Sequence, residues 1–209
     1  MRISTRVEIA SSTIDDLQRI SNETEIEVRS HLPELDDQLR LVVQLGSEVI
    51  DETGEVGASI APGVIAWTVD PGRAGGVAGV AARHLRHTLF HEMHHLVRGW
   101  TFYGAAEATS FMQGVVSEGL ATAFARDAAG DDASWARYPD DVQTWVDELR
   151  ELPSTASYHH WMFQHPDGRK WIGYRAGTYI ADQAIVRGGT SAAQLAESPW
   201  EDVVALAGL

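Results

Sequence analysis

The 209-residue chain carries 30 acidic and 16 basic side chains, a formal net charge of −14, and no cysteine. That balance argues against holding nucleic acid or an anionic membrane through broad electrostatics. Zero cysteines exclude disulfides, thiolate metal sites and cysteine nucleophiles. Lys170, the single lysine, is followed by Trp171, which rules out a Walker A phosphate loop. No apolar run reaches the roughly 18 residues of a membrane span. The start of the chain shows no signal-peptide apolar stretch, so the expected compartment is the cytoplasm. Length and composition fit one domain over residues 1–209.

Taken in chain order, residues 2–9 alternate weakly and suggest a strand. Ser12-Thr13 offers an N-cap before Ile14, Leu17 and Ile20, which recur at helical spacing. Residues 39–45 read as a buried strand, and 57–69 as a second one bent at Pro62-Gly63. Gly72, Gly75, Gly76 and Gly79 do not match a dinucleotide fingerprint and read as a loop ahead of a helix over 80–97. Further helices are expected over 105–127, 140–150, 171–187 and 191–206, with Pro153 and Gly188-Gly189 as stops. A few early strands followed by many helices predict an α+β fold, mostly helical, with a small N-terminal mixed sheet.

Chemistry concentrates on the helix over 80–97. Five of the nine histidines lie from His84 to His95, and His91-Glu92-Met93-His94-His95 is an HExxH motif. Residues four apart on a helix sit about 40° apart on one face, one turn removed. Two imidazoles so placed can reach one metal ion at about 2.0–2.1 Å. Glu92, one residue on, is off that axis but can reach a water at the metal as general base. Leu89, Phe90, Met93, Leu96 and Val97 form the opposite, core-facing side. His84, His87 and His94 fall near the histidine face and read as ordinary or supporting histidines.

A catalytic site uses three protein ligands and leaves a position for water. The extended pattern HExxHxxGxxH is absent, because Arg98 and Thr101 stand where it needs Gly and His. Glu118, on the next helix, shares a face with Phe111, Gly114, Val115, Ala121 and Ala125. A carboxylate on such a face is costly to bury unless a cation compensates it. Glu107 is a rival about 16 Å away along a continuous helix, and His159, His160 and His165 are others.

These residues resemble a known family. His91-Glu92-Met93-His94-His95 followed by Ser117-Glu118-Gly119-Leu120-Ala121 is similar to the predicted zinc-dependent proteases long filed as a domain of unknown function, gluzincin-like within the wider zincins. Trp171-Ile172-Gly173-Tyr174-Arg175-Ala176-Gly177-Thr178-Tyr179 resembles that family's C-terminal helix, so the likeness spans roughly residues 40–187. The resemblance implies zinc held by His91, His95 and Glu118, with Glu92 as general base. Many gluzincins carry an Asp four residues after the Glu ligand; this chain has Thr122 there. Tyr174 is the preferred donor to the oxyanion that hydrolysis develops, with Arg175 and His160 in reserve.

The resulting expectation is a zinc-dependent peptidase acting on a peptide or protein substrate. The alternatives are a zinc hydrolase of a small non-peptide amide and a non-catalytic metal-binding module. The acidic surface predicts a preference for neutral or basic peptides. For a peptide substrate, the strand expected at the exposed sheet edge is that over residues 63–69.

Overall fold

The weak alternation at the N-terminus folds as a short strand, β1 (Arg2–Thr5), and the helical spacing after it as a 21-residue helix, α1 (Ser11–His31). The expected N-cap at Ser12-Thr13 is displaced: both lie inside α1, and Ala10 occupies the cap without a side-chain bond. The computed structural model describes residues 1–103, 108, 110–130, 133–153 and 155–209. The fold is α+β and mostly helical, with one four-stranded mixed sheet near the N-terminus. The chain divides into two compact units, Met1–Tyr103 and Gly104–Leu209. Among the described residues no helix is long and apolar enough to cross a membrane.

The sheet belongs to the first unit. Strands β2 (Arg40–Leu45), β3 (Glu55–Ala61) and β4 (Val64–Val69) join β1 in the order β1-β2-β4-β3. β1 and β2 run parallel, as do β2 and β4, whereas β3 pairs antiparallel with β4. The register sets Leu41 opposite Ile65 and Val43 opposite Trp67, and these four side chains are essentially inaccessible to solvent. The segment 57–69 is therefore two strands, not one bent strand. Gly63, at φ 68°, turns the chain between them, a left-handed conformation that glycine adopts without strain. The expected edge strand is also corrected. β4 lies inside the sheet between β2 and β3, and β3 forms one edge with β1 at the other, because the hairpin returns β4 rather than β3 to the parallel side of β2.

After β4 the glycine-rich stretch enters a helix earlier than its composition suggests. Helix α2 (Gly76–Val80) passes through a π-helical turn, Ala81–Leu85, into α3 (Arg86–Arg98), which Gly99 ends in the left-handed conformation. A π turn carries more residues than an α turn and re-phases the face that follows. From His87 to His95 every residue of α3 is buried.

The second unit is helical: α4 (Phe111–Ala129), α5 (Val142–Arg150), α6 (Tyr158–Met162), α7 (Ile172–Gly188) and α8 (Trp200–Leu206). Ser110 caps α4 by accepting the Met112 N–H at 3.2 Å. Helices α4 and α7 form its centre. They approach at Gly119 and Gly177, where a Cβ on either residue would overlap backbone of the other helix. An ion pair supports the same two helices: Arg126 donates to both Asp182 oxygens at 3.1 and 2.8 Å. The last helix is shorter than the expected 191–206. Residues 192–197 form turns, and Pro199 disfavours helix at Ser198 while fitting the start of α8.

Candidate metal centre

The site begins with the face of α3 that HExxH spacing sets. His91 and His95 stack one turn apart with ring centroids 4.6 Å apart and planes at 82°. Their Nε2 atoms converge to 3.0 Å. Four ligands at about 2.0–2.1 Å around a tetrahedral ion stand about 3.3–3.4 Å from one another, so the pair is close to the spacing that one ion requires. Two imidazole nitrogens and a carboxylate oxygen also form the donor set of known catalytic zinc sites.

Glu92 is buried and held from β3. Ser59 Oγ lies 3.0 Å from Glu92 Oε2 and 2.8 Å from the Glu92 carbonyl oxygen, so its one proton is shared between these two acceptors. A β-bulge interrupts the β3–β4 register between Ser59 and Ala61, the kind of irregularity that re-aims a side chain. Two residues earlier, Gly57 leaves room for the helix. A Cβ there would come within 2.8 Å of Glu92 Cγ and press on the Thr88 methyl. Two residues earlier again, the buried Glu55 carboxylate accepts from Trp67 Nε1 at 2.7 Å and from Thr88 Oγ1 at 2.9 Å. Burial pushes the Glu55 carboxyl above its ordinary value, against the hydrogen bonds from Thr88 and Trp67 and the nearby His84. Glu55, Gly57 and Ser59 thus present one face of β3 to α3. Sequence reasoning missed Glu55 and Ser59. The signal was their period-2 spacing around a glycine, just after the acidic loop.

In the second unit Glu118 is buried on α4, and the Tyr158 hydroxyl of α6 donates to its Oε1 at 3.1 Å. Tyr158 was not anticipated. Thr122, where an orienting Asp would stand, is fully buried, and its hydroxyl makes no hydrogen bond among the described residues, so it orients no ligand. Tyr174 is half-buried on α7, its ring against Trp171 (centroids 5.6 Å) and Phe163 (5.9 Å). His159 and His160 lie on α6, and His165 sits 2.9 Å from Asp167. The rival Glu107 lies outside the described residues.

Among the described residues one group of three could hold a metal ion: His91, His95 and Glu118. All three are buried, and each offers a ligand atom within 4.8 Å of the other two. His159, His160 and His165 are not in that group. A mostly helical α+β chain with two imidazoles converging on an HExxH helix defines a protein of the HExxH class with a candidate metal site. The chain belongs to the family described as "Predicted Zn-dependent protease (DUF2268)", whose model matches residues 7–205. No curated protein and no solved structure matches the chain significantly.

Proposed function

We propose that the protein is a zinc-dependent peptidase in which His91, His95 and Glu118 hold the metal and Glu92 is the general base. The observation that carries this reading is the convergence of the His91 and His95 Nε2 atoms to 3.0 Å beside a buried, hydrogen-bonded Glu92. A purely structural metal site has no use for such a carboxylate. The family description supports the choice of zinc and of peptide bonds.

When bound, the metal supplies Lewis acidity toward the substrate carbonyl and the attacking water. The remaining work falls to this chain's side chains. Ser59, on Oε2, orients the Glu92 carboxylate, which is assigned to take the water's proton and pass it to the leaving amine. The Tyr158 hydroxyl, by donating to Glu118 Oε1, would orient that carboxylate as a ligand of the metal. Tyr174 is assigned to the developing oxyanion, because a phenol donates a proton in a hydrogen bond without titrating at neutral pH.

Elemental analysis together with a peptide-library cleavage screen tests the reading. One metal per chain is expected, lost in the double variant His91→Ala, His95→Ala. Glu92→Gln should keep the metal while turnover drops about 10²–10⁴-fold. Full metal content in the double histidine variant, or undiminished turnover in Glu92→Gln, would overturn it.

A further inference from the structure

Arg175 differs from two other arginines of its unit. Arg126 and Arg169 each pair with a carboxylate. Arg175, on α7, forms no ion pair among the described residues, and its Nε is enclosed without a hydrogen-bond partner. Burial draws its guanidinium below the ordinary value, with no charge to oppose the effect. A guanidinium nonetheless stays protonated in proteins, so this half-buried side chain keeps its charge and one enclosed N–H without a partner. In a chain of net charge −14 this is a local inversion.

Arg175 lines a cavity of about 460 Å³ together with Ser134, Arg137, Tyr138 and Pro139, all within the second unit. Arg137 also lines the cavity, and Ser134 adds a hydroxyl. Asp182 accepts the hydroxyl of the lining residue Tyr138 at 3.0 Å. Both Asp182 oxygens are already taken by Arg126, so that carboxylate does not quench the cavity. The Tyr138 hydroxyl is likewise engaged, and its proton is held with a pKa pushed up to about 12 by burial and by Asp182. Tyr138 therefore offers the cavity its ring, and Pro139 a second apolar surface.

We propose that this cavity is a binding subsite for the carboxylate of a small organic molecule or peptide, recognised by Arg175 with Arg137 and Ser134. The planar guanidinium fork matches a carboxylate, and a volume of this size suits a small ligand body resting on Tyr138 and Pro139. Inorganic phosphate has no apolar body to rest on Tyr138 and Pro139, so the lining favours an organic carboxylate. The subsite contains none of the proposed metal ligands and is read by binding, so its test is independent of turnover.

The test is titration of the full chain with N-acetyl-L-alanine, with its uncharged N-methylamide and with inorganic phosphate, by calorimetry and by amide NMR shifts. The acid should bind, more weakly as salt rises, with shifts centred on Ser134, Tyr138 and Arg175. The amide should not bind, and phosphate should bind more weakly than the acid. Arg175→Gln should cost about 10–100-fold in affinity, and Arg175→Lys less. Thermal unfolding of both variants checks that they fold, and Arg137→Gln with the wild-type shift map stands in where they do not. Equal binding of acid and amide, preference for phosphate, unchanged affinity in Arg175→Gln, or shifts centred elsewhere would overturn the assignment.

Discussion

The two units seat their chemistry-bearing helices by opposite means. In the first, β3 meets α3 through Glu55, Ser59, Thr88 and Glu92, a seam of hydrogen bonds opened by the missing Cβ of Gly57. In the second, α4 meets α7 through Gly119 and Gly177, backbone nearly on backbone, with the Arg126–Asp182 pair further along. A polar seam fixes the rotamer of a charged side chain, because each hydrogen bond constrains direction. A glycine seam sets the distance between two helices and leaves side-chain direction to other contacts. Glu92 accordingly takes its orientation from the strand beside it, whereas Glu118 takes its from a tyrosine on a third element, α6.

Breaking the glycine seam should have the largest effect. Gly119→Ala or Gly177→Ala forces the helices apart and should cost about 3 kcal/mol or more, read by denaturant unfolding. An unfolding midpoint equal to wild type would show that the close approach has no energetic weight. In the polar seam, Ser59→Ala removes the donor to Glu92 and should cost about 2 kcal/mol. It should also lower turnover on any cleaved peptide while leaving metal content unchanged, which separates positioning of the base from metal retention.

Asp182→Asn weakens the ion pair that accompanies the glycine seam. Both partners are partly exposed, so a loss of about 1 kcal/mol is expected, diminishing with salt. The smallest effect concerns Glu55. Its carboxyl is raised in the folded state, so the stability it contributes is present below its unfolded pKa and is lost as pH climbs through the folded value. Glu55→Gln keeps an acceptor for Trp67 and Thr88 but removes that loss. Melting temperature against pH should show the variant gaining on wild type toward neutral pH, with the gain vanishing in acid. Parallel curves would show that Glu55 titrates normally.

A second contrast lies between Arg126 and Arg175. Arg126 is saturated by Asp127 and Asp182, which raise its already high pKa further, while Arg175 has no such partner among the described residues. The two look alike in sequence, each on an apolar helix. Their difference arises only from which carboxylates the packing of α4 and α7 brings near.

What the sequence by itself determined is what depends on local periodicity. The HExxH spacing places His91 and His95 on one face of any α-helix, and the apolar residues around them make that helix a buried one. The α+β order, strand β2 and the bodies of α4, α5 and α7 follow from the same short-range patterns. Glu118 was legible as a carboxylate that an apolar face could not carry without a cation. The edge position of β3, the Ser59 hydroxyl on Glu92, the Tyr158 hydroxyl on Glu118 and the lack of an ion pair at Arg175 among the described residues came only with the tertiary structure. The first three depend on pairs 24 to 40 positions apart, and a period of two or 3.6 says which residues share a face but not what that face meets. In β3 the inversion is complete. Val56, Ala58 and Ile60 share one face, yet it is the polar set of Glu55, Gly57 and Ser59 that meets α3, because a helix bearing Thr88 and Glu92 packs there and only polar or absent side chains can satisfy it.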